Sequence, residues 1–320
     1  MKKVALGIDI GGTNTKYGFV DKEGKVYCES SISTTTPGEK FEDYLNNLYN
    51  EVQKSLESAP EELEIIGVGV GAPNGNYFNG CIEFAANLPW KGIIRAAQLM
   101  GDKWGVPAYL TNDANAAAIG EMLFGTAKGM KDFIVITLGT GVGGGVIIDR
   151  KIFSGSNGAG AELGHTVIQM NGEPCSCGRN GCWEAYASAT ALIRQTRQAM
   201  LRYPESVMWK LCEGSLDRIS GLTAFNAMRS GDAAGKMVVD QYIRYIAVGI
   251  ANVINIFQPD VVCIGGGVSK EGDTLRTPIK EFVMGENYAR NLDTKTVIKT
   301  ADLGNNAGII GAAFLCELHK

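Results

Sequence analysis

His165, Cys175, Cys177 and Cys182 fall in one short stretch, "GHTVIQMNGEPCSCGRNGC". Three thiols and an imidazole make four ligands of the kind and number that close a tetrahedral structural zinc site. Gly178 and Gly181 let the loop turn twice around a single ion. A redox pair would prefer Cys-x-x-Cys spacing, and a stable disulfide does not suit a cytosolic chain. Two carboxylates flank the cluster, Glu162 ahead of His165 and Glu184 just after Cys182. An ion that fixes the loop would lock both, and a preorganised acceptor discriminates hydroxyls better than a mobile one. A neutral imidazole has two nitrogens, so His165 can serve the metal with one and a ligand with the other. The plainer alternative for both glutamates is a solvated loop charge.

A second kind of chemistry lies in three glycine turns, each closing an apolar run: "DIGGTNTK" at 9–16, "LGTGVGGG" at 138–145 and "GGGV" at 265–268. Backbone N–H groups freed at such turns converge on phosphate oxygens, and missing side chains let a phosphate approach. Thr13, Thr15 and Thr140 would add hydroxyl donors, and Asp9 at a strand end could hold magnesium through water. No Walker loop is present. "GTGVGG" fits G-x-G-x-x-G, but the strand-like "GVIIDR" follows it where a dinucleotide site needs a helix. Any one loop alone could be an ordinary hairpin turn. A third candidate is Asp113 in "YLTNDANAAAIGE", where an apolar run stops and an alanine-rich helix starts. It reads as a helix N-cap or as a base at a strand end, and the two roles are compatible.

The elements that must carry these groups are legible from periodicity. Residues 2–33 read as three strands turning at Gly11–Gly12 and near residues 22–24. A helix at about 39–58, a buried strand in "LEIIGVGVGAP", a helix at about 90–103, the strand "PAYLTND" and the helix "ANAAAIGEMLFG" follow. The pattern then restarts at "KDFIVITLGTGVGGGVIIDRKIFSG", and after a helix at about 236–257 "VVCIGGGVS" echoes "EIIGVGVGAP". Two copies of one long pattern argue for two related α/β halves. No linker separates them, which predicts a hinge and a cleft. "NNAGIIGAAFLCELHK" reads as a closing helix. The segment 200–220 has mixed helical character and carries no assignable chemistry.

With 320 residues, 45% hydrophobic and 20% charged, the composition is that of a globular protein of about two domains. A net charge of −4 without a basic run argues against sequence-independent nucleic-acid binding. Asp9 interrupts the amino-terminal apolar stretch too early for a signal peptide, and no run approaches a membrane span, so the expected location is the cytoplasm. The scattered Cys28, Cys81, Cys212, Cys263 and Cys316 read as small buried apolar residues.

Taken in order, "DIGGTNTK", "LGTGVGGG" and "GGGVS" resemble the two phosphate motifs and the adenosine motif of sugar kinases with the actin-like, ribonuclease H-like fold. The pattern H-x9-C-x-C-x4-C narrows the resemblance to the ROK family (repressor, open reading frame, kinase), from residue 4 to about 315. It implies two duplicated ribonuclease H-like domains with an interdomain cleft: residues 1–118, completed by a helix at about 305–320, and residues 119–304, carrying the zinc loop 165–182. It implies ATP with magnesium on Asp9, Gly11, Gly12, Thr13, Thr15, Lys16, Thr140, Gly141, Gly265, Gly266 and Gly267. Asp113 would be the catalytic base, and Gly75, Asn87, Asn112, Asp113, Glu162, His165 and Glu184 would contact the sugar. The family more often shows G-x-P-G where this chain has Asn74 before Gly75, which leaves that loop's path open.

The implied activity is ATP-dependent phosphorylation of a hexose at its 6-hydroxyl, with glucose as the first expectation and N-acetylglucosamine, N-acetylmannosamine, allose or fructose as alternatives. A homodimer with no nucleic-acid or membrane partner is expected. The family also contains sugar-responsive repressors, which carry a helix-turn-helix domain before the first glycine motif. With Asp9 so near the start, none is expected here.

Overall fold

The structure is a computed structural model that describes residues 1–35, 40–293 and 295–318. Residue 39, the expected start of the first helix, and residues 319–320, the expected end of the last, lie outside these. In chain order the chain forms β1 (Lys2–Ile10), β2 (Asn14–Val20), β3 (Val26–Ser33), α1 (Phe41–Glu57), β4 (Leu63–Ala72), β5 (Gly75–Asn76), β6 (Cys81–Glu83) and β7 (Ile93–Ile94). Next come α2 (Ala96–Trp104), β8 (Ala108–Asn112), α3 (Asp113–Phe124), β9 (Phe133–Leu138), β10 (Val142–Ile148) and β11 (Lys151–Ile152). Then follow α4 (Glu184–Ala187), α5 (Ala189–Arg202), α6 (Met208–Leu211), α7 (Thr223–Arg229) and α8 (Ala233–Phe257). β12 (Val261–Gly265), α9 (Asp273–Glu286), β13 (Val297–Thr300) and α10 (Ala307–Leu318) complete the chain.

Two five-stranded sheets have the orders β3-β2-β1-β4-β8 and β11-β10-β9-β12-β13. The two orders match position for position, as the repeated sequence pattern predicts. In the first sheet β2 and β3 are antiparallel hairpin partners, while β1, β4 and β8 run parallel. A parallel strand covered on both faces needs a near-continuous apolar run, and β4 supplies one in "LEIIGVGVGA".

The chain divides into two compact units, one of Met1–Val135, Gly145–Ala161 and Ala301–Lys320, the other of Ile136–Gly144 and Glu162–Thr300. The expected border at residue 118 falls inside α3, which runs unbroken to Phe124. The first segment of the first compact unit ends within β9, at Val135. In that unit α10 packs on α3, β1 and β4. Gly69 permits this: a β-carbon there would stand 1.7 Å from the carbonyl oxygen of Ala312.

In the second unit α8 is the core helix, capped by the Asp232 side chain, which accepts from the Gly235 N–H at 2.6 Å. Among the described residues it is the one helix long and apolar enough to cross a membrane, and most of its apolar window is buried inside the protein.

The helix expected at about 90–103 begins later, at Ala96. Ile93 and Ile94 pair with Glu83 and Ile82 in a small sheet of β5, β6 and β7, so an apolar pair that looks helical is claimed by a hairpin. The segment 200–220 holds the end of α5, the short α6 and a single turn at Leu216–Arg218.

Candidate active site and metal centre

In the first unit the candidate residues gather at the carboxyl ends of the parallel strands, where ligands bind in open α/β sheets. Asp9 pairs with Lys16 across β2 and with Gly71 on β4, and Gly71 pairs in turn with Thr111 on β8. Asn112 and Asp113 come immediately after. Asn112, not Asp113, caps α3: its side-chain oxygen accepts from the Ala114 N–H at 2.9 Å, while Asp113 is the first helical residue. Asp113 Oδ1 accepts from the same N–H at 2.8 Å, so the carboxylate is aimed rather than free.

Electrostatics mark the same pair. Desolvation by burial, followed by repulsion from Asp113, raises the Asp9 carboxyl to about 7, with Lys16 opposing. Burial also raises Asp113, against the lowering effect of its backbone hydrogen bonds. Two desolvated carboxylates with raised pKa values at strand ends mark this corner as a candidate functional site.

Around them, Gly11 donates its N–H to the Asn14 carbonyl at 3.0 Å, closing the first turn. Gly12 lies under Asn87, whose backbone oxygen would be 3.1 Å from a β-carbon at 12. Thr13 accepts from the Thr34 N–H through its carbonyl. Thr15 does not join the site. It is fully buried, and its hydroxyl is shared with Thr34 and Tyr44 at 2.8 Å each. Alternation along β2 puts it on the face opposite Lys16.

Gly75 is buried against the Thr111 carbonyl. Asn74 adopts a left-handed φ of 52° and exchanges hydrogen bonds with Glu83. That is a conformation Asn tolerates and Gly favours, so the loop turns here despite the departure from G-x-P-G. Asn76, which sequence reasoning missed, donates to the Asn157 carbonyl and to Glu83, and so ties the small sheet to the loop ahead of Glu162.

In the second unit, His165, Cys175, Cys177 and Cys182 bring their ligand atoms within 4.8 Å of one another. His165 Nδ1 lies 3.5 Å from Cys175 Sγ, and Cys177 Sγ lies 3.6 Å from Cys182 Sγ. A tetrahedron with metal–sulfur bonds of about 2.3 Å has edges of about 3.8 Å, so one metal ion fits the four side chains. Burial pushes the Cys182 thiol up to about 12, with the other two thiols adding to it. Cys177 moves down, because the Arg179 N–H and neighbouring groups outweigh its own burial.

Glu184 Oε1 faces this cluster, 3.3 Å from Ser176 Oγ, and Oε2 accepts from the Val142 N–H at 3.0 Å. Exposed Glu162 heads the turn Leu163–His165, its carbonyl accepting from the His165 N–H. Gly266 has a φ of 82° and packs on Leu138, which sets the turn 265–267 against the end of β9. Thr140 is exposed beside Gly141. Cys81, Cys212, Cys263 and Cys316 are buried and Cys28 is half-buried, as expected of apolar residues.

Two mixed sheets of matching strand order, flanked by helices and ending in glycine turns, define the duplicated α/β fold of the actin-like ATPases. The chain belongs to the ROK family, which matches residues 5–318. It is 36% identical over 314 residues to a glucokinase of Thermotoga maritima, covering 98% of this chain and 96% of that one. The crystal structure of a ROK family glucokinase from Streptomyces griseus in complex with glucose and AMPPNP is similar at a TM-score of 0.84 and 34% identity, over 98% of both chains. A xylose repressor of Caldicellulosiruptor bescii is 30% identical over 311 residues, which span 96% of this chain and 76% of the repressor.

Proposed function

We propose that this protein transfers the γ-phosphoryl group of ATP to the 6-hydroxyl of a hexose, with glucose the preferred acceptor. The observation that carries this is Asp113: a desolvated carboxylate with a raised pKa, fixed at the carboxyl end of β8 and beside Asp9. It accepts the hydroxyl proton as the sugar oxygen bonds to the γ-phosphorus and the bond to the β-phosphate oxygen breaks, releasing ADP. Likeness to glucokinases, one of them solved with glucose and AMPPNP, supports the same reading.

Asp9 would hold ATP's magnesium through water, and Gly11, Gly12, Thr13, Lys16, Thr140 and Gly141 would surround the phosphates, with Gly265, Gly266 and Gly267 against the adenosine. Asn87, Asn112, Glu162, His165 and Glu184 would hold sugar hydroxyls, and the loop at Gly75 would shape that pocket. Zinc is the ion we assign to the four-ligand cluster, since three thiolates and one imidazole leave it closed and structural. His165 would use Nδ1 for the metal and keep Nε2 for the sugar. The reading includes a cytoplasmic homodimer whose functional lobes are the two halves predicted by the repeat.

A coupled ADP-release assay over hexoses and acetamido-hexoses tests the activity, with kcat/KM expected to be highest for glucose. A higher value for an acetamido sugar, allose or fructose would reassign the substrate, and no turnover with any of them would end the kinase reading. Elemental analysis of protein purified without added metal should give about one zinc per chain.

A further inference from the structure

We infer that Glu184 braces the glycine loop at 139–144 for the phosphates of ATP, so that the metal loop serves the nucleotide as well as the sugar. This rests on the kinase reading above.

The loop is held by three hydrogen bonds from one short segment. The Val142 N–H donates to Glu184 Oε2 at 3.0 Å. The Ala189 N–H donates to the Gly139 carbonyl at 2.8 Å, and Thr190 Oγ1 donates to the Thr140 carbonyl at 2.8 Å. Gly141 fits this arrangement alone, since a β-carbon there would stand 2.3 Å from Glu184 Oε2. The other side of Val142 is used too: its carbonyl would lie 2.1 Å from a β-carbon on Gly164, in the turn that presents His165.

The segment 184–190 is in turn anchored to the metal cluster. Cys182, a metal ligand, is fully buried, and Trp183 after it is buried with Nε1 donating to the Tyr245 carbonyl at 2.9 Å. Glu184 Oε1 lies 3.8 Å from Cys175 Sγ and 3.3 Å from Ser176 Oγ. One carboxylate therefore touches the metal loop with one oxygen and the phosphate loop with the other. An ionised carboxylate offers about four acceptor positions, so these contacts leave room for a sugar hydroxyl.

A phosphate cradle works only while its N–H groups stay aimed, and a charge-assisted bond to Val142 keeps the loop's backbone in one path. Glu184 is thus a positioning residue for the nucleotide, acting through Val142.

The test is the dissociation constant of AMPPNP with magnesium, measured by calorimetry on full-length, zinc-containing protein in the absence of sugar. Glu184→Ala should weaken it about tenfold, and Glu184→Gln, which can still accept from Val142, should recover part of the loss. Thr190→Val removes a second tie outside the sugar set. It should weaken AMPPNP about threefold and leave the glucose dissociation constant within about twofold of wild type. Zinc content is measured on each variant; should Glu184→Ala lose its metal, Thr190→Val decides. Wild-type AMPPNP affinity in Thr190→Val, or in a zinc-loaded Glu184→Ala, overturns the inference and leaves the kinase reading standing. A wild-type chain that binds no AMPPNP overturns both.

Discussion

Gly308, in the first turn of α10, lies against the carboxylate of Asp9 so closely that a β-carbon there would stand 2.7 Å from Oδ2. Gly71 approaches the same carboxylate from β4, with its missing β-carbon 3.8 Å from Oδ1 and 3.5 Å from the Asp113 backbone. The desolvation that raises Asp9 is therefore built by backbone packed where side chains are absent. Gly308→Ala should displace either the carboxylate or the helix, with a loss of about 1–3 kcal/mol in stability. Urea denaturation and steady-state kinetics check this, and turnover should fall more than stability alone explains.

Asp113→Ala should keep its fold and its metal, yet lose at least about 10² in kcat, the usual worth of a positioned base. Near-normal turnover would remove the base assignment. The intact α3 cap belongs to Asn112, so a stability loss in this variant should be small.

The raised pKa of Asp9 has a definite sign for stability. Between the ordinary value of 3.8 and about 7, the folded chain holds a proton that the unfolded chain has released. Stability therefore falls as pH rises through that window, and Asp113 acts in the same direction. Asp9→Asn should remove the Asp9 share, so its advantage over wild type in urea should be larger at pH 8 than at pH 5. Asp113→Asn should lower the Asp9 pKa, followed by carboxyl carbon NMR. Because Asp113 must be ionised to accept a proton, the acid limb of kcat should lie above the usual carboxylate range.

Ala161 adopts a φ of 65°, immediately before Glu162. A left-handed alanine costs about 1–2 kcal/mol, part of which glycine returns through the unfolded chain. Ala161→Gly should raise stability by about 0.5–1 kcal/mol in denaturant. It should also raise KM for the hexose, since Glu162 then hangs on a looser backbone. A lower KM would show that the strain serves no positioning purpose.

Several of these groups were visible as letters. The His and Cys spacing predicted the four-ligand cluster, a local signal. The strand-to-helix junction placed Asp113 at a strand end and left its role open between helix cap and base, the base coming only from the family resemblance. Thr15 was legible in principle: period-two alternation on β2 sets it with Tyr17 on the buried face, and a loop reading of "GGTNTK" overlooks that a strand begins at Asn14. Ile93 and Ile94 could not be read correctly from neighbours, because their partners sit back at Ile82 and Glu83. The double engagement of Glu184 was likewise hidden. Its bond to Val142 joins positions far apart in sequence, and nothing at either position announces the other.

The place of α10 bears on how the molecule is made. It covers α3, β1 and β4 of the amino-terminal unit, yet it is synthesised after the whole of the other unit. On the ribosome the early strands must therefore wait, with an apolar face uncovered, until residue 318 has emerged. Nascent chains halted before α10 should be captured by chaperones and cut readily by protease, although they already contain every proposed catalytic carboxylate.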